Sequence, residues 1–378
     1  MHKTLSARRL VTNTGEIDYP VVSVEDGRIV GVEAGTPNES TDTLTAMFFD
    51  VHVHGACSYD FMAATQAEIS TVGRFLASRG VGHFLPTTVT ASLDLTLKAL
   101  ETLADAIERA EKSESQDAVA TPVGIHLEGP FVSHAKRGVH PNASLREPSV
   151  DLFDRFQQAA RGHIRLMTLA PELPHALELI EHVTATGVRV TMGHSTATAE
   201  QTLAAIAAGA TSSTHLFNAM RALDHREPGI VGTILDREDV YAEAICDGVH
   251  VHPAIIRLWL KIKGAERGIL VTDGMSATGM PDGTYTLGDF TVEVKDGVCL
   301  LGDTLAGSVL TMDQAVRNVQ RFTGTSLETA IRLASRNPAR MMGMSVLTDM
   351  AVGRPAHFNV FDEFGDRTGS IFYGRRIE

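Results

Sequence analysis

From about residue 45 to residue 275 the chain alternates short apolar runs with longer amphipathic stretches. The short runs, AMFFDVHV, VGHFLPT, PVGIHLEG, IRLMTLA, GVRVTMGH, ATSSTHLF, YAEAICD and GILVTDG, read as eight strands. Between them the pattern predicts helices over 66–78, 92–110, 150–160, 173–185, 198–207 and 253–261. Strands alternating with helices demand a parallel sheet with helical crossovers, and eight such units predict an α/β fold of the (β/α)8 TIM-type barrel. After the last strand, FTVEVKDGVCL predicts an inserted hairpin turning at Asp296-Gly297, followed by helices over 311–321 and 326–335.

The ends have a different texture. VVSVE and RIVGVE flank Asp26-Gly27, a dipeptide suited to a tight hairpin because both turn positions tolerate positive φ. AHFNVFD and SIFYGRRIE near the other end are also strand-like. Neither end alone has enough strands for a stable sandwich, so the two are expected to pair. This predicts a discontinuous β-sandwich domain from residues 1–49 and 347–378, with the barrel spanning 50–346.

Composition narrows the setting. With 378 residues, 43% of them hydrophobic, the chain can bury a large core. No run reaches the roughly 18 apolar residues of a membrane helix, and MHKTLSARRLVTNTGE has no apolar signal core, so a cytoplasmic protein without a membrane partner is expected. Cys57, Cys246 and Cys299 have no zinc-finger spacing and suit a reducing compartment. A net charge of −13 with no basic run argues against nucleic acid as a partner, while leaving an anionic small molecule open.

In such a barrel the C-terminal ends of the strands converge on one mouth. Those ends carry His52 and His54, His126 and Glu128, His194, His215 and Asp273, with His250 just beyond the seventh strand. A lone barrel histidine is more often structural, but five histidines and two acids at mouth-facing positions point to a metal. His52 and His54, two apart on a strand, face one side and can grip a cation through neutral imidazoles. Glu128 either bridges two metals or joins His194 and His215 around one; a carboxylate with two imidazoles suits zinc, and Fe²⁺, Mn²⁺ or Co²⁺ also fit. Asp273 can ligate the metal or take a proton from activated water and deliver it to a leaving amine. His126 is not expected to touch the metal, nor is Cys57. His83, His163, His175, His182 and His357 are expected to be structural, and Met341, Met342 and Met344 to fill core.

Taken in order, DVHVHG at 50–55, HLEGPF at 126–131, KRGVHPN at 136–142, MGHS at 192–195, THLFNAM at 214–220, REPG at 226–229, DGVH at 247–250, TDGMSATG at 272–279 and LAGS at 305–308 resemble the N-acetylglucosamine-6-phosphate deacetylases of the amidohydrolase superfamily. The resemblance implies that Glu128, His194 and His215 bind the principal divalent metal and that Asp273 is the catalytic acid/base. It implies that His140 polarises the acetyl carbonyl, that Asn218 and Ala219 hold the sugar, and that Leu305, Ala306 and Gly307 line the pocket. Arg226 and His250 are implied as phosphate contacts, which in a homodimer can come from the neighbouring subunit. Because this sequence has HxH in its first motif, His52 and His54 are implied as ligands of a second ion, giving one or two metals per chain. Some binuclear members of the superfamily use a carboxylated lysine after the fourth strand; here that strand runs into LAPE without a lysine, so the resemblance implies Glu128 as the bridge. The same reaction on N-acetylgalactosamine 6-phosphate, another amidohydrolase such as a cyclic amidase or aminoacylase, and a non-catalytic sugar- or metal-binding barrel are the rival readings.

Overall fold

The structure, a computed structural model, describes residues 2–13 and 15–377. The eight apolar runs become parallel strands: β1 (Phe48–Val53), β2 (Val81–Thr88), β3 (Ile125–Glu128), β4 (Ile164–Leu169), β5 (Arg189–Met192), β6 (Ser212–Ser213), β7 (Tyr241–Ile245) and β8 (Gly268–Val271). Each pairs with its successor in the sequence. The ring closes just past the ends of β8 and β1, where Asp273 N–H donates to His52 O at 2.9 Å and His54 N–H to Gly274 O at 2.7 Å. The predicted (β/α)8 barrel is therefore the observed architecture.

The barrel helices are α1 (Gln66–Ser78), α2 (Leu93–Glu111), α3 (Val150–Ala159), α4 (Ala176–Ala185), α5 (Ala199–Ala208), α6 (Gly229–Asp236), α7 (Pro253–Arg267) and α8 (Met312–Thr323). Local chemistry sets their limits. In α2, Ala99, Leu100, Leu103, Ala106 and Ile107 form one buried stripe. At the start of α5, Thr198 and Gln201 bond reciprocally, and Gly209 ends the helix with φ 119°. The predicted helix at 173–185 starts later, at Ala176, because Leu173 N–H turns back to Ala170 O and His175 is left-handed. Helix α6 is the element the pattern does not mark. Its GIVGTILD opens after Pro228, contains two glycines and is buried on most sides, so it has neither helix propensity nor amphipathic period. The last predicted helix does not stop at 335. A π-turn over Arg332–Arg336, in which Asn337 N–H reaches Arg332 O, carries it past Pro338 to Met341.

Both ends contribute to one mixed sheet: Thr43–Thr45 pairs parallel with Arg9–Val11 on one side and antiparallel with Phe358–Phe361 on the other. A second sheet of His2–Ser6, Pro20–Glu25 and Arg28–Ala34 completes the layer pair, turning at Asp26-Gly27 with positive φ at both residues. Leu10, Val22, Val24, Ile29, Leu44, Phe358 and Val360 are among the side chains that fill the space between. Phe358→Ala should cost about 3–5 kcal/mol of stability through cavity formation. Denaturant titration checks it, and a loss below roughly 1 kcal/mol would mean that this core contributes little.

The inserted segment is a four-stranded meander, Gly283–Leu287, Phe290–Lys295, Val298–Leu301 and Thr304–Leu305, turning at Asp296-Gly297 as expected. Its apolar face packs on Val139, Met275 and Ala306 beside the barrel mouth. No helix among the described residues is long and apolar enough to cross a membrane.

Candidate metal centre and pocket

The strand ends bring six polar side chains into one buried cluster. His52 and His54 leave β1 on the same face, their Nε2 atoms 3.2 Å apart. Glu128, last residue of β3, lies between two imidazole pairs. Its Oε1 is 3.5 Å from His52 Nε2 and its Oε2 is 3.2 Å from His54 Nε2. On the other side, Oε1 is 3.2 Å from His194 Nε2 and 3.3 Å from His215 Nε2, which are 3.1 Å from each other. Two trios thus share one carboxylate: His52, His54 and Glu128, and Glu128, His194 and His215. Asp273 Oδ1 lies 3.4 Å from His52 Nε2 and 3.2 Å from His54 Nε2.

The backbone is bent to make this possible. His194, His215 and Asp273 have φ of 48°, 27° and 50°, a region that non-glycine residues seldom occupy and that recurs at functional sites. Each follows a strand end, and the turn there places its side chain over the mouth. Gly138 in the loop after β3 has φ 56°, and a Cβ there would stand 3.3 Å from His194 Cε1, so glycine lets the loop lie against that ring.

Hydrogen bonds set the ring tautomers. His54 Nδ1 donates to Thr87 O (3.2 Å) and His194 Nδ1 to Lys136 O (3.0 Å), leaving the Nε2 lone pairs aimed at the cluster. Within β1, Asp50 accepts from His52 N–H and from the hydroxyl of Thr272, the residue after β8, tying the two strands together; burial, only partly offset by these bonds, raises its pKa to about 6. Burial opposes charge on His54, yet the carboxylates of Asp273 and Glu128 outweigh it and hold its pKa at about 9. Burial likewise opposes ionisation of Glu128 and Asp273, but the imidazoles, His52 foremost, keep both well below the carboxylate range. An environment that favours positive charge at these nitrogens also favours a divalent cation. Glu128 Oε1, buried and without a hydrogen-bond partner, is a fitting ligand atom. The donor set therefore fits a divalent metal.

The cluster floors a pocket of about 480 Å³. Of the expected substrate contacts, His140, Asn218, Ala219, His250, Leu305 and Gly307 line it. His140 Nδ1 accepts from Thr90 N–H at 3.3 Å, so Nε2 carries the ring proton, and burial drives its pKa down to about 3. It is a neutral donor beside the cluster. His250 Nδ1 donates to Asp247 at 2.6 Å; burial would lower its pKa, but this carboxylate raises it on balance.

Two expected residues are placed elsewhere. Ala306 does not line the pocket: it is buried against Val139, Met275 and Cys299, and its N–H is bonded to Cys299 O. Asp303, Thr304, Leu305 and Gly307 border the cavity, while the Ala306 methyl turns into the apolar face of the inserted sheet. Arg226 is exposed and outside the pocket wall of its own chain. Asp224 caps the N–H groups of Arg226 and Glu227, and Glu227 is bonded to the start of α5, which fixes this loop at the surface.

His126 is held away from the cluster, with Nδ1 donating to Val51 O and Nε2 accepting from Thr168. Sequence reasoning missed two residues. Lys136 also lines the pocket, and its signal was a cation in the glycine-containing KRGVH loop. Glu243, in the middle of β7, accepts from His215 N–H at 3.2 Å; an acid inside the apolar run YAEAI was the sign of a special role.

Residues 43–375 match the amidohydrolase family. The chain belongs to that family. An N-acetylgalactosamine-6-phosphate deacetylase from Escherichia coli O157:H7 is 38% identical over 367 residues, 96% of each chain. An N-acetylglucosamine-6-phosphate deacetylase from Lysinibacillus sphaericus is 34% identical over 362 residues, 94% of this chain and 92% of the other. Among solved structures, an N-acetyl-D-glucosamine-6-phosphate deacetylase mutant from Mycobacterium smegmatis, in complex with N-acetyl-D-glucosamine-6-phosphate, superposes with a TM-score of 0.92 at 35% identity, covering 99% of each chain.

Proposed function

We propose that this protein hydrolyses the N-acetyl group of N-acetyl-D-glucosamine 6-phosphate, giving D-glucosamine 6-phosphate and acetate, as a cytoplasmic, metal-dependent enzyme of amino-sugar catabolism or cell-wall recycling. The observation that carries the reading is the convergence of Glu128, His194, His215 and Asp273 on the floor of a pocket beside His140, a neutral donor. Relatives named for this substrate, and a structure solved with it, support the sugar.

Glu128, His194 and His215 hold the principal ion, with zinc the best match to one carboxylate and two imidazoles. His52 and His54 with Glu128 hold a second. A divalent cation there supplies Lewis acidity, lowering the pKa of water and polarising a carbonyl. His140 Nε2–H donates to the acetyl oxygen and stabilises the charge that develops as water adds to the carbonyl carbon. Asp273 takes the proton from that water. It then delivers the proton to the amide nitrogen as the C–N bond breaks, so the amine leaves neutral and the acid, which keeps the added oxygen and the second water proton, ionises to acetate on release. Asn218 and Ala219 orient the sugar, with Leu305 and Gly307 as walls. The experiment is an assay of purified protein with both 6-phosphorylated N-acetylhexosamines and their unphosphorylated forms. Turnover of the gluco phosphate well above the rest is expected, and its absence would sink the proposal. The galacto epimer remains a second reading because a relative named for it is 38% identical over 96% of the chain.

The substrate is a dianion and the protein carries −13, so the phosphate needs local cations. His250 offers one from within the chain. Arg226, placed outside its own pocket, is proposed to serve the partner's pocket in a homodimer, donating two parallel hydrogen bonds to phosphate. Arg226→Ala should reduce kcat/KM for the phosphorylated sugar by about 10- to 100-fold, chiefly through KM, and leave the unphosphorylated sugar nearly unaffected. Mixing Asp273→Asn with Arg226→Ala subunits should restore activity in hybrids, since one pocket per dimer is then complete. No rescue would exclude a contact across the interface.

A further inference from the structure

Glu243 is completely buried, yet no part of the reaction uses it. Its Oε2 accepts from His215 N–H at 3.2 Å and lies 3.6 Å from His52 Nδ1, while its Oε1 has no hydrogen-bond partner. Among the described residues, His52 is the one basic side chain within ion-pair distance of this carboxylate. A carboxylate shut away from water without Lys or Arg is costly unless its charge meets a specific partner.

The four imidazoles of the cluster are not held alike. His54 and His194 each donate Nδ1–H to a main-chain carbonyl. His52 Nδ1 and His215 Nδ1 have no hydrogen-bond partner. The Glu243 carboxylate touches exactly these two residues, His52 through its ring and His215 through its main chain, and so stands beneath both trios. A carboxylate behind a ring fixes the Nδ1–H tautomer, turns the Nε2 lone pair toward the metal and strengthens the ring as a donor more than a carbonyl does.

We propose that Glu243 is a positioning residue for the second ion: it orients His52 and registers the His52/His54 trio against the His194/His215 trio. This rests on the metal-centre reading above. Loss of its charge weakens the His52/His54 ion selectively and leaves the Glu128/His194/His215 ion in place.

Glu243→Gln, nearly isosteric and still able to accept from His215 N–H, is the informative variant. Full-length protein stripped of metal is titrated with Co²⁺, following the visible absorption of each equivalent, and metal per chain is counted by elemental analysis. Wild type should take up two equivalents. Glu243→Gln should bind the second about 10- to 100-fold more weakly with the first unchanged. Glu243→Asp, which retains the charge, should recover part of that affinity. His52→Gln should lose the same equivalent, and adding Glu243→Gln to it should change nothing further, because the two act as one unit. If Glu243→Gln does not fold, the Asp variant and His52→Gln carry the test. Wild-type affinity for both ions in Glu243→Gln, equal loss of both, or a wild-type chain that binds one ion overturns the proposal. A chain that binds one ion and still hydrolyses the sugar phosphate leaves the proposed function standing. Two ions without hydrolysis would remove the substrate reading alone.

Discussion

Asp273→Asn should lower kcat by about 10²-fold or more while leaving the fold, the metal content and KM close to wild type, the scale of removing a general acid/base. The substitution is conservative in shape and in backbone. Asp273 has φ 50°, and asparagine tolerates that region better than most residues, so the turn that carries the side chain survives. Its N–H bond to His52 O and its carbonyl's bond from Ser308 N–H involve no side-chain atom. What is lost is the ability to take a proton. Burial works against an ionised Asp273, but the charge of His52 and the hydrogen bond from His54 keep its pKa well below the usual carboxylate range, so at neutral pH it starts as the base. The amide has no such form. Steady-state kinetics with metal analysis on the same preparation decides the matter: a variant with full metal and more than about a tenth of wild-type kcat would show that another group moves the proton.

How much of this was legible in the sequence depended on whether a residue's role followed from its own element. The strands were legible because each is an apolar run that ends in a polar residue, and the parallel order of a barrel then forces those ends together. That logic leads directly from HVH, HLE, GH, TH and TD to one cluster without any distance. It fails where tertiary geometry decides. Strand β6 shrinks to two paired residues, and α6 lacks a period because it is buried on most sides. Ala306 lies between two pocket residues yet faces the core, since the side its methyl takes is set by packing against Val139, Met275 and Cys299, which are distant in sequence or on another strand. Arg226 was assigned from resemblance, and where its side chain stands is set by capping of the loop by Asp224, a short-range contact that carries no information about the pocket. Glu243 was passed over for a related reason. An acid inside a buried strand is a conspicuous local anomaly, but its partners, His52 and His215, are far away in sequence.

The shared carboxylate gives the second large effect. Glu128 is the one residue common to both trios, so Glu128→Gln should empty both ion sites and reduce hydrolysis to background, whereas His194→Ala should empty only the first and replacement of His52 and His54 only the second. Charge is the reason. Oε1 stands within 3.2–3.5 Å of the Nε2 atoms of His52, His194 and His215, and Oε2 within 3.2 Å of His54, so an amide would place a weak oxygen on one side and an N–H donor on the other. One trio would lose an anionic ligand and the other would face a hydrogen atom where a cation belongs. The loss should also be visible without any assay of activity. An ion at 100 times its dissociation constant stabilises the folded state by about 2.7 kcal/mol, so added Zn²⁺ should raise the Tm of wild type and of His194→Ala but not of Glu128→Gln. Retention of one full equivalent of metal by Glu128→Gln, measured after dialysis, would mean that the two trios do not depend on a common bridge, and that each can hold its ion with ligands of its own.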